Sequence, residues 1–133
     1  MNKVSSQAPD SAKIHHHYVA SARGMKDFSL YAVSLRAMLW LAKATQIEVP
    51  VMTYESAIKY FVRNRPSDHN IKKGAIFRQR YRNFQIIDLL FLDQNDHPVY
   101  KSDGNYYGSR FLVNAIDDEL QNAFDDQDII IVE

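Results

Sequence analysis

The chain contains no cysteine, which excludes disulfides, thiolate zinc sites and cysteine nucleophiles and fits a reducing compartment. Glycine is scarce, with four residues, and Gly104 and Gly108 form neither a GxGxxG nor a Walker pattern, so no glycine-rich phosphate loop is legible. Long hydrophobic runs are also missing. The longest apolar stretch, residues 37–42, is far too short to span a bilayer. No apolar segment of a secretory signal follows Met1-Asn2-Lys3-Val4. These absences lead to the expectation of a soluble cytoplasmic protein that does not enter a membrane. No catalytic, metal or cofactor motif emerges from the spacing of the remaining residues, and the expectation is a non-enzymatic protein without a cofactor.

What is present suffices for one hydrophobic core: 133 residues, 46% hydrophobic and 24% charged. The charges are equal in number, sixteen of each sign, but they are segregated. Between Phe61 and Arg82 lie seven basic residues and one acid, Asp68 (+6); from Asn83 onward two basic residues face eleven acids (−9); the first sixty residues add +3 and close the sum to zero. Segregated charge on a neutral chain suggests either two surfaces that pair internally or two faces for different partners.

Residues 1–24, rich in serine and without periodicity, read as a flexible leader, and residues 25–133 as one α+β domain. A first helix is expected from Lys26 to Gln46. Phe28, Tyr31, Leu35, Met38, Leu39 and Ala42 recur at helical spacing, and Leu30, Val33, Ala37 and Leu41 form a second apolar strip beside Trp40. A helix apolar around so much of its circumference is buried on two sides, in its own domain or against another subunit. Pro50 is read as closing this region. A second helix starts at a Thr53 cap, carries Glu55 in its first turn and stops before Pro66.

From Lys73 the period becomes two, with Phe77, Gln79 and Tyr81 on one face and Arg78, Arg80 and Arg82 on the other. The run Gln85–Leu92 is a strand covered on both faces, and Pro98-Val99-Tyr100 a short third strand of an antiparallel meander. Extended chain to Val113, a helix from an Asn114 cap to Phe124 and a strand at residues 128–133 complete the order α-α-β-β-β-α-β. This is an α+β fold with two N-terminal helices and a mostly antiparallel sheet.

The best candidate site is the basic stripe Arg78, Arg80 and Arg82, with Lys72, Lys73, Arg63 and Arg65 at its margin. Alternate guanidiniums stand roughly 7 Å apart on a strand, a spacing suited to phosphates or an acidic protein. The blander reading is a solvated face or one paired with the acidic tail. Tyr100, Tyr106 and Tyr107 cluster about a turn, where aromatics anchor partners or cap the core. Asp88, an acid within an apolar strand, is read as a catalytic carboxylate of raised pKa, as a partner for an arginine on the neighbouring strand, or as a residue on an exposed strand face. The adjacent His15, His16 and His17 do not converge on a metal unaided. Residues 93–104 fail the EF-hand pattern, because Pro98 stands where glycine is required.

The expected role is therefore a small adaptor or regulatory protein working through protein–protein contact. A protein partner is expected, and a second copy of the chain docking through the first helix is a further candidate. Nucleic acid bound through the arginine strand is the main alternative.

Overall fold

The computed structural model describes residues 20–21, 28–43 and 46–133, with side chains placed in 32–43 and 46–133. In chain order the elements are β1 (Ala20–Ser21), α1 (Phe28–Leu41), β2 (Ile47–Met52), α2 (Tyr54–Arg63), β3 (Lys73–Arg80), β4 (Gln85–Leu92), β5 (Gly108–Ile116), α3 (Asp118–Phe124) and β6 (Ile129–Val132). The fold is α+β. The expected leader, with its three histidines, lies outside the described residues except for Ala20 and Ser21, which pair antiparallel with Val132 and Ile131.

The strands form one sheet in the order β1-β6-β3-β4-β5-β2. Every neighbouring pair is antiparallel except β2 with β5, so the sheet is mixed. Two helices do not stand together at the N-terminal side, because β2 separates them. Pro50, read as closing the first helical region, falls inside the strand β2. It is accommodated because β2 is an edge strand, paired on one side only, and a missing N–H there breaks no ladder. The helix α1 ends at Leu41 and does not reach Gln46.

Residues 98–100 contribute only isolated bridges, Leu92 with Pro98 and Tyr100 with Tyr106. The third strand of the meander is β5, which pairs with β4 over Gln85↔Val113 to Leu90↔Gly108. The last helix is capped by Asp117 instead of Asn114, since the chain remains extended through Ile116.

Helices cover both faces. On one, α2 and α3 pack Ala57, Ile58, Phe61, Leu120 and Phe124 against Ile76, Ile87, Leu89 and Ile130. On the other, Ala37 and Leu41 of α1 meet Ala75, Phe77, Leu90 and Ile131. Thr53 caps α2 through a reciprocal box, its Oγ1 accepting from Ser56 N while Ser56 Oγ accepts from Thr53 N, both at 3.0 Å. Because β2 and β5 run parallel, α2 and α3 start at the same end of the sheet. Asp117 Oδ1 serves both starts, accepting from Leu120 N at 2.9 Å and from Tyr54 N at 3.0 Å.

Candidate interaction surface

The three arginines of the expected stripe have three different environments. Arg78 is a buried internal clasp with no side-chain exposure. Its Nε donates to Asp128 Oδ1 at 3.1 Å, Nη1 to Gln121 Oε1 at 3.1 Å and Nη2 to the Gln127 carbonyl at 2.8 Å. Its guanidinium lies 4.2 Å from the centroid of the Phe124 ring. Burial pulls its pKa below the ordinary value, while the Asp128 hydrogen bond opposes that fall. Arg80 shares Asp128 Oδ1 at 3.1 Å and is half exposed. Arg82 is exposed in the β3–β4 turn beside the stacked rings of Tyr81 and Phe84, whose centroids are 4.8 Å apart.

The marginal cations lie at the other end of β3, roughly 23 Å away by strand rise. Lys73 Nζ binds Asp96 at 2.7 Å and lies 3.7 Å from Glu133. Arg65 Nη2 donates to the Ile71 carbonyl at 2.7 Å. Arg63, in the last turn of α2, and Lys72 are exposed. The basic run is contiguous in sequence and divided in space.

Asp88 meets the second of the three readings open to it. It lies buried on the α1 side of the sheet and accepts from Arg110 of the adjacent strand β5 at 2.8 Å through each oxygen. Arg110 also donates to the Met38 carbonyl at 3.0 Å, tying α1 to the sheet. Burial pushes Asp88 upward and the Arg110 bonds pull it back, leaving it raised. Hydrogen bonding to Asp88 raises Arg110. Among the described residues no group of three or more His, Asp or Glu is placed to hold a metal. Also among them, no helix is long and apolar enough to cross a membrane.

The tyrosines divide between the two faces. Tyr107 packs on the α2 side with Lys101 Nζ 5.7 Å from its ring centroid, while Tyr106 packs on the α1 side. Tyr100 is 64% exposed and meets Tyr106 edge to face at 5.9 Å. Tyr106 in turn borders an open depression of about 330 Å³ that also involves Arg36, Leu39, Trp40, Lys43 and Gly104. Across it, Trp40 Nε1 donates to the Gly104 carbonyl at 2.7 Å. Gly104 stands at φ 90°, a conformation that suits glycine and turns this carbonyl loop toward α1.

Leu39 is 65% exposed and Leu35 37%, both on the side of α1 away from the sheet. Of the two apolar strips expected to be buried in the domain or against another subunit, the second supplies the fully buried contacts, Ala37 and Leu41, with Met38 of the first packed beside them. The outward leucines and Trp40 were not singled out as site residues. Their available signal was the breadth of the apolar arc, which exceeds what one sheet face can cover. Compared with known proteins, the chain matches no family model, no curated protein and no solved structure.

Proposed function

We propose that the protein is a non-enzymatic cytoplasmic adaptor or regulatory module that acts by binding another protein. The observation that carries this reading is the exposure of Leu39 and Leu35 on α1 beside Trp40 and the exposed Tyr100. Large apolar and aromatic side chains gathered on one surface are the usual anchors of protein recognition. The engagement of Asp88 by Arg110 supports a structural use for the one acid set in an apolar strand. Absence of cysteine fits the reducing compartment this role assumes.

Nucleic-acid binding through Arg80 and Arg82 is the second reading, favoured by the stacked Tyr81–Phe84 pair between strands. It is weaker because Arg78 is committed to α3 and its loop and Arg80 to Asp128. Two assays separate the readings. Affinity purification of wild type and Leu39→Asp, scored for proteins and for RNA or DNA, should yield proteins that the variant loses. Anisotropy with a single-stranded oligonucleotide at near-physiological salt should show no binding. Micromolar affinity, falling steeply with salt and abolished by Arg80→Gln with Arg82→Gln, would replace the adaptor reading with its rival.

A further inference from the structure

Building on the protein-binding reading, we infer that the depression between α1 and the turn at Gly104 receives a single apolar side chain of an extended peptide flanked by acidic residues. Its apolar wall is Leu39, Trp40 and Tyr106, and its cations are Arg36 and Lys43. Arg36 lies within α1, and Lys43 stands in the turn two residues past its end at Leu41. Leu39 and Trp40 lie between them. The order along the chain is therefore cation, apolar, cation.

In an extended peptide alternate residues share a face, so an apolar anchor with acids two positions before and after it turns all three side chains toward this surface. Arg36 has no ion pair among the described residues, and Lys43 Nζ lies 5.4 Å from the Trp40 ring centroid. The nearby acid Asp103 is exposed and accepts from Asn105 N at 2.9 Å, and against its single charge Arg36 and Lys43 leave the depression a positive excess. The wall is partly organised before any ligand arrives, because the bond from Trp40 to the Gly104 carbonyl fixes the indole edge. Leu39 and its neighbour Leu35 favour an aliphatic or aromatic side chain over a nucleobase, which needs an open aromatic face; Lys43 already approaches that of Trp40.

The test is selection of a random displayed peptide library on the full chain, followed by titration of the leading synthetic peptide. Trp40 is the only tryptophan, so its emission reports on this site directly. Enriched peptides should carry one large apolar residue with acids two positions to either side of it. Leu39→Asp, and separately Arg36→Glu with Lys43→Glu, should weaken binding roughly tenfold or more, with thermal midpoints unchanged. A peptide with lysines in place of the acids should recover affinity for the charge-reversed protein.

Enrichment of neutral or basic peptides, or binding indifferent to both variants, overturns the inference and leaves the protein-binding reading intact. A dimer in sedimentation that Leu39→Asp dissociates assigns the surface to a second copy and also overturns it. If no peptide is enriched while a thymidine oligonucleotide binds at near-physiological salt, both readings fail together.

Discussion

Arg78→Ala should destabilise the protein by about 3 kcal/mol, and the structure says where that cost arises. Three of its bonds are well formed, but their acceptors differ. Asp128 is 52% exposed on its side chain and Gln121 is exposed, so both can return to water once the guanidinium is gone. Their contribution is accordingly discounted. The Gln127 carbonyl is less accessible and loses its 2.8 Å donor. The larger share comes from the emptied volume over Phe124, where a side chain with no exposure had packed.

Arg78→Met should cost less, about 2 kcal/mol, because it retains most of the packing and loses only the polar partners. Urea unfolding followed by far-ultraviolet circular dichroism measures both. Amide exchange adds a local readout. Arg78 holds the link between α3 and β6, so protection at Ile129–Val132 should fall more than protection in β4. Arg80→Ala should cost less than about 1 kcal/mol and Arg82→Ala about 0.5 kcal/mol or less. Three equal, small effects would refute the clasp and restore an equivalent surface stripe.

Other expected outcomes concern the packing and the caps. A Cβ added at Gly74 would stand 2.6 Å from the Phe61 ring, so Gly74→Ala should cost about 1–3 kcal/mol in urea unfolding, with Phe61→Leu partly restoring it. Asp117→Ala removes one oxygen that serves two helix starts, and should cost about 2 kcal/mol against about 1 for Thr53→Ala, compared by thermal melts. Asp88→Asn leaves Arg110 buried without its counter-charge and should cost about 3 kcal/mol. Asp88→Leu with Arg110→Met should recover much of that in a double-mutant cycle, since the Met38 carbonyl still accepts from Ala42 N at 3.0 Å.

Much of the fold was legible where local chemistry and tertiary environment agree. The Thr53 cap, the stripe Ala57, Ile58 and Phe61, and the paired strands β3 and β4 follow from capping and periodicity alone. The strand Ile47–Met52 was hidden by Pro50, because the sequence does not state which strand occupies an edge. The start of α3 was misplaced by three residues because Asn114 and Asp117 are both good caps. What decides between them is pairing of β5 with β2, a contact across more than sixty residues. The site divided in the same way. Strand alternation placed Arg78 and Arg80 on one face, and both reach Asp128. Whether that face was open depended on α3, which arrives some forty residues later.

Charge density along this chain and charge on its folded surface are therefore different quantities. The basic segment looks concentrated because Arg63 to Arg82 are close in sequence, but β3 carries its two ends roughly 23 Å apart. The acidic tail then neutralises it piecewise, through Asp96 and Glu133 at one end and Asp128 at the other. A phosphate backbone needs several accessible cations in register, and the fold ties Lys73, Arg78 and Arg80 into ion pairs and leaves the exposed Arg82 at the other end of β3 from Arg63 and Lys72. Arg36 and Lys43 belong to no dense run in the sequence. The fold nevertheless brings them to one depression with Leu39 and Trp40, beside a wall already fixed by Gly104. Few charges combined with exposed apolar side chains are suited to recognising one short peptide, which is why α1, and not the arginine strand, is the surface on which the adaptor reading rests.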